Sequence, residues 1–203
     1  MKRLFLAGAV TFVVICAGCS VPDQVLIDSF EGELNSETVD FGSSADSSLE
    51  IYAEKQLKTC GDQAIKLTYQ LHPKGYMWCA RGYNLDVKGA ARWLLKPQKV
   101  RWNAYQALAL SMYGAKSGAM IALDVKDAGG EIWRFLLNDD FEGWREIACP
   151  FNKFFVRTDW QPQTAQKNDI LDFPIMSFQF EPRTPGKGTC IFDSVKVIKI
   201  GKE

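Results

Sequence analysis

Three stretches of this chain repeat a pattern that leaves little freedom of fold. In Gln106–Tyr113, Leu108, Leu110 and Met112 alternate with Ala107, Ala109 and Ser111. In Ala119–Val125, Ile121, Leu123 and Val125 share one side, and in Ile132–Leu137 so do Trp133, Phe135 and Leu137. A period of two puts successive side chains on opposite faces of a strand, so each stretch reads as a strand with one buried face. Turn residues separate them, among them Gly114, Gly118 and the run Asp127-Ala128-Gly129-Gly130. Ala64–Leu71, ending at His72-Pro73-Lys74-Gly75, continues the pattern, as do Trp144–Cys149, Ile175–Phe180 and Thr189–Ile200. Helical periodicity is nearly absent. Many short strands with glycine-rich turns predict an all-β fold, an antiparallel β-sandwich or jelly roll.

The start of the chain has a different character. Lys2 and Arg3 precede an apolar run from Leu4 to Ile15, too short to span a bilayer, and Cys16-Ala17-Gly18-Cys19 follows. This resembles the lipobox of bacterial lipoproteins, in which Cys19 would be cleaved free and acylated; Cys16 stands where leucine is usual. The resemblance implies a signal peptide over 1–18 and a lipidated tether over 19–25; the remainder, 26–203, has the length of one domain and shows no internal repeat. Several acyl chains, palmitate among them, would hold the protein to a lipid bilayer in the bacterial cell envelope. Ser20, rather than Asp, after the modified cysteine points to the outer membrane.

The 203 residues balance 24 Lys and Arg against 24 Asp and Glu, so no overall basic field exists to attract nucleic acid. The charge is unevenly placed. Every charged residue from Ser20 to Glu54 is acidic, and nearly every one from Lys74 to Arg101 is basic. A solvated tether and a solvated face account for this; mutual attraction or a cation site is the sharper reading. With Cys16 lost and Cys19 acylated, Cys60, Cys79, Cys149 and Cys190 remain. In an oxidising compartment they allow two disulfides, Cys60–Cys79 with Cys149–Cys190 favoured because each pair joins one half of the chain. Buried free thiols are the alternative. Their wide spacing without histidine disfavours zinc.

No catalytic constellation stands out. His72, the only histidine, sits in a turn before Pro73, and the adjacent Asp139 and Asp140 read as a solvated turn. Sugar binding asks for flat aromatic rings flanked by polar groups, and six tryptophans are available: Trp78, Trp93, Trp102, Trp133, Trp144 and Trp160. Trp133 reads as core. If Leu108, Ile121, Phe135 and Phe178 point inward, then Tyr113, Asp124, Arg134, Glu146 and Gln179 point outward together. Ala107 and Ser111 would open the floor of such a groove. Arg134 is the leading ligand contact, because its planar fork can bond two hydroxyls, with little loss of stability expected on its removal. The polar stretch Val156–Pro174, beside Trp160, is the second place to look.

The runs "WNAYQALALSMYG" from Trp102, "ALDVKDAGGEIW", "GWREIACPFNKF" and "DWQP" resemble, in this order, carbohydrate-binding modules of family 11. They are also similar to the domain of complex I intermediate-associated protein 30. "IDSFEG" at the start and "CIFDSVKV" at the end are similar to the opening and closing strands of both. The resemblance implies a galactose-binding-domain-like jelly roll, without catalytic residues, that binds glycan on a concave sheet face. It implies a structural calcium ion where the first and last strands meet, with Glu31, Asp193 and Asp28 at the matching positions. A scaffold or assembly module with an envelope protein as partner is the alternative function.

Overall fold

The computed structural model describes residues 21–201. The leader, Cys16 and Cys19 lie outside the described residues. Twelve strands build two six-stranded antiparallel sheets. They are β1 (Gln24–Asp28), β2 (Asp40–Ser43), β3 (Ser48–Glu54), β4 (Ala64–Leu71), β5 (Met77–Gly82) and β6 (Ala107–Ala115), followed by β7 (Met120–Lys126), β8 (Ile132–Asn138), β9 (Glu142–Pro150), β10 (Phe155–Val156), β11 (Ser177–Pro182) and β12 (Gly186–Ile198). The first sheet runs β3-β4-β12-β6-β9 with β1 also on β12; the second runs β10-β8-β7-β11-β5-β2. Among the described residues, helix is confined to four single 3-10 turns. The predicted jelly-roll sandwich is the observed architecture.

The alternation sorts the side chains as the period of two requires. Ile121, Leu123 and Val125 face the core at 0%, 0% and 1% exposure, and across the register lie Leu137, Phe135 and Trp133. Leu108, Leu110 and Met112 supply the facing layer from β6. Aromatic rings fill the middle: Phe180 lies flat on Phe192 at 3.9 Å, and Trp93 stacks on Phe178 at 5.8 Å. Each such side chain withdrawn from water contributes roughly 1.5–3 kcal/mol, which is what holds two sheets face to face. The tight turn between β7 and β8 depends on Gly130, whose φ of +81° is a left-handed conformation that a side chain would strain.

The expected disulfides do not form: Cys60, Cys79, Cys149 and Cys190 are all free. Topology explains why. Cys149 sits opposite Leu108 on β6, whereas Cys190 precedes Ile191, which sits opposite Tyr113. Cys190 therefore lies level with Gly114, and six residues along a strand separate the two by about 20 Å, against the roughly 7 Å between Cα atoms that a disulfide can span. Cys79 is buried in β5 of the second sheet, while Cys60 lies between β3 and β4 with its amide bonded to Asp193. Cys79, Cys149 and Cys190 act as small apolar core residues. Burial pushes each of their thiols up to about 12.

Candidate functional site

The outer face of the second sheet carries a row set by strand register: Asp40, Ala80, Gln179, Asp124, Arg134 and Phe155 lie side by side across six strands. Three of the expected ligand residues, Asp124, Arg134 and Gln179, therefore do meet. Tyr113 and Glu146 do not join them. They stand on β6 and β9 of the first sheet, where Tyr113 packs its ring edge-on to Trp144 and Glu146 pairs with Lys196. Ala107 and Ser111 belong to that same sheet. All point outward, but from opposite sides of the sandwich.

Arg134 is not free to bond a ligand. It is 6% exposed, donates from Nε and Nη2 to the two oxygens of Asp124 at 2.7 and 2.8 Å, and donates again from Nη2 to Glu181 at 2.7 Å. Arg157 joins the same carboxylates, at 3.1 Å from Asp124 and 3.0 Å from Glu181, and Arg183 closes on Glu181 from the far side. Asp159 binds Arg157 at 2.8 Å and Arg183 at 3.4 Å. Three arginines and three carboxylates thus form one neutral lattice on the sheet. Burial raises the pKa of Glu181 despite its arginine neighbours. Burial works the same way on Asp159 nearer the mouth, but the Arg157 hydrogen bond and the charges of Arg157, Arg134 and Arg183 outweigh it and hold that carboxyl low. The expectation that Arg134 is dispensable for stability is corrected: it is the keystone of a buried ionic network.

The open part of the face is a cleft of about 550 Å³ beside this lattice. Tyr76 and Trp78 stack at 6.2 Å at one end, and Trp160 stands at the other, in the loop after β10. Tyr76 and Trp160 are 55% and 56% exposed, far more than aromatic rings with only a packing role need. Between them the floor is polar or small: Ala80, Gln179, Ser177 and Lys126. Gly42 lies under Trp78, and a Cβ there would come within 2.6 Å of the indole, so glycine lets the ring lie down on the sheet. Asp40 fixes it by accepting the indole N–H at 2.9 Å. Arg157, held by the lattice, sits over the Trp160 ring at 5.6 Å and thereby ties the loop platform to the sheet. Sequence reasoning pointed to Trp160 but missed Tyr76 and Trp78 as a platform. The signal available was Gly42, small because a partner strand brings a large ring onto it.

A family model for carbohydrate binding domains of family 11 matches residues 18–200. The chain belongs to this family. The family 11 module from Clostridium thermocellum, solved in complex with a β-1,3-1,4-mixed-linked tetrasaccharide, superposes with a TM-score of 0.67 at 19% identity. That match covers 91% of this chain and 100% of the module. The family 11 module of the cellulosomal cellulase Lic26A-Cel5E from the same organism gives 0.65 at 19% identity, with 91% and 99% covered. A β-1,2-glucanase from Parabacteroides distasonis gives 0.52 at 13% identity, over 81% of this chain and 23% of that one. A comparison with curated protein sequences finds no match.

This family 11 domain does bring its first and last strands together, β1 lying on β12 with Asp28 opposite Val195. The carboxylates expected to hold calcium there do not fit the ion. Asp28 accepts Arg81 Nε and Nη2, both at 3.0 Å, and the Phe30 amide at 2.8 Å. Asp193 accepts the amides of Thr59, Cys60 and Ser194, and Glu31 accepts that of Asp62. A calcium ion needs six to eight oxygens aimed at one point, whereas these are aimed at N–H groups, and a guanidinium supplies the positive charge. Among the described residues no three His, Cys, Asp or Glu side chains gather around a metal position. Two other expectations are settled by position. His72 is exposed in its turn, and Asp139 is not solvated but 3% exposed, accepting the amides of Ala115, Lys116 and Ser117. Asp140 alone remains in water, paired with Arg145.

Proposed function

We propose that this domain binds a glycan chain along the cleft of the second sheet. Tyr76 with Trp78 and, opposite them, Trp160 provide apolar faces for sugar C–H groups. Gln179, Lys126 and Asp159 provide donors and acceptors for hydroxyls. The observation that carries this reading is the pairing of two exposed aromatic platforms across one polar-floored cleft. A cleft of about 550 Å³ lies within the size range of small-ligand sites. The solved family module bound to a β-1,3-1,4-mixed-linked tetrasaccharide makes that oligosaccharide the first probe. In calorimetry across a panel of soluble β-glucans, Trp160→Ala weakens the best ligand by about 2 kcal/mol, roughly thirtyfold, as loss of a central aromatic anchor does. The melting temperature stays put, because the ring is exposed. Unchanged affinity in Trp160→Ala overturns the cleft, and absence of binding across the panel moves the envelope-scaffold reading ahead.

The same protein is, in this proposal, a lipoprotein of the bacterial envelope, acylated on Cys19 and set in the outer membrane. The lipobox-like Cys16-Ala17-Gly18-Cys19 behind a basic and apolar leader supports it. More than one acyl chain gives stable anchoring at roughly 0.8 kcal/mol per buried methylene. Cys19→Ala therefore shifts the full-length protein expressed in a Gram-negative host from the membrane pellet to the soluble fraction, read by fractionation and intact mass. A variant that still pellets after a high-salt wash, or a parent of unmodified mass, removes the anchor from the proposal.

A further inference from the structure

Between Asp86 and Asp124 the sequence contains no carboxylate, yet it carries Lys88, Arg92, Lys96, Lys99, Arg101 and Lys116. The structure shows where the central part of this run goes. Trp93, Pro97, Val100, Trp102 and Tyr105 are buried, Trp93 stacked on Phe178 and Trp102 on Phe173, and they pin an irregular strap to the core. The strap starts where the Leu94 amide donates to Ile27 O of β1 at 2.8 Å, and it ends where the Gln106 amide donates to Ile198 O of β12. Its ends therefore lie by Ile27 and by Ile198, the partner of Gln24 at the start of β1, near Val21, whose carbonyl accepts Lys199 Nζ.

What the strap turns outward is unusual in combination. Leu94 and Leu95 are 56% and 39% exposed, and Arg92 before them and Lys96, Lys99 and Arg101 after them in sequence are exposed too. None of these four cations forms an ion pair with a described residue. A single exposed leucine is ordinary. Two adjacent ones in a ten-residue stretch, 92–101, that also carries four unpaired cations match a layered partner, anionic at its surface and apolar beneath. Long basic stems reach outward to such a surface while their methylenes cover apolar area. A soluble polyanion would satisfy the cations but give the leucines nothing.

We infer that the strap 92–101 is a docking surface for an anionic phospholipid membrane, a second contact beside the N-terminal anchor. This inference rests on the reading that the domain sits at a membrane, and not on acylation of Cys19. Charge complementarity and the strap's place beside the N-terminal entry choose the occupant. It would press the β1 edge to the bilayer and hold the domain in one orientation on it, instead of leaving it to swing on its tether.

The test uses the chain from residue 19 onward with Cys19→Ala, which lacks acyl chains and retains every strand and the whole core. It is sedimented with vesicles of phosphatidylcholine alone and of phosphatidylcholine mixed with phosphatidylglycerol. Binding is expected only to the anionic vesicles, weakening with salt. Each cation contributes roughly fivefold, so Lys96→Glu with Lys99→Glu lowers affinity at least about 25-fold. Leu94→Ser with Leu95→Ser also lowers it, with melting temperature and glycan affinity unchanged in both variants. Equal binding to neutral and anionic vesicles, no binding to either, or full binding by the leucine variant each overturns the inference. So does equally tight binding of dextran sulfate that the leucine changes leave untouched, since the surface is then a polyanion site. None of these outcomes depends on Cys19, so the docking surface and the acyl anchor stand or fall separately.

Discussion

Arg134→Ala lowers the melting temperature of this domain by roughly 6–20 °C, followed by far-UV circular dichroism. The size follows from what the guanidinium leaves behind. Asp124 and Glu181 are each 1% exposed, and Arg134 makes three of the short hydrogen bonds that satisfy them. Breaking a buried pair by removing one partner costs about 3–5 kcal/mol, because a charge remains in low dielectric. In a domain of this length each kcal/mol moves the midpoint by about 2–4 °C. Arg157 still reaches both carboxylates, which places the effect toward the lower half of that range. Arg134→Lys does not restore stability, since a single ammonium cannot span Asp124 bidentately and reach Glu181 as well. Glycan affinity also falls, indirectly, because Arg157 and Trp160 lose their support. A melting temperature within a degree or two of the parent would show that the lattice contributes nothing to the fold.

Asp28→Ala is expected to be as damaging, for the mirror-image reason. Arg81 is 1% exposed in the core, its fork closes on Asp28, and its Nη1 already has no partner. The guanidinium lies 5.8 Å from the Phe30 ring centre, and its hydrogen-bonded side-chain partner is Asp28. With Asp28 gone it is an uncompensated charge, again about 3–5 kcal/mol. Burial raises the Asp28 pKa while Arg81 pulls it down, which is the same cost seen from the carboxylate. Replacing both residues by leucine removes the charge together with its partner and recovers much of the loss. Urea midpoints of the two single variants and the double one make this cycle. A double variant no more stable than either single one would mean that the pair is held for packing and not for charge.

These two pairs mark how far the sequence could be read. A strand's alternation is a local property, since each side chain's face is set by its neighbours along the backbone. So Ile121, Leu123, Val125, Trp133, Phe135 and Phe178 were legible as core, and Asp124, Arg134 and Gln179 as facing outward together. The jelly roll followed from strand number and turn spacing, and the order of short runs such as "ALDVKDAGGEIW" carried the family. What Arg134 does was not legible. Its role depends on Glu181, Arg157 and Asp159, which strand pairing and a later loop bring to it.

The same division applies to the site as a whole. The sequence by itself determined which face of each strand is wet, because that requires only a period of two. Only the tertiary structure decided which wet faces share a surface. Tyr113 and Glu146 have the same outward parity as Arg134, yet their strands enter the other sheet, and the hydrophobic core stands between them. Tyr76, Trp78 and Trp160 are more than seventy positions apart at their extremes, and they face one cleft because β5 pairs with β11 while Arg157 fixes the loop. The four cysteines were countable, but their distances were not, since separation in a sheet depends on register and not on position along the chain. Local chemistry is written residue by residue, whereas a binding surface is made by side chains whose neighbours are chosen by long-range pairing.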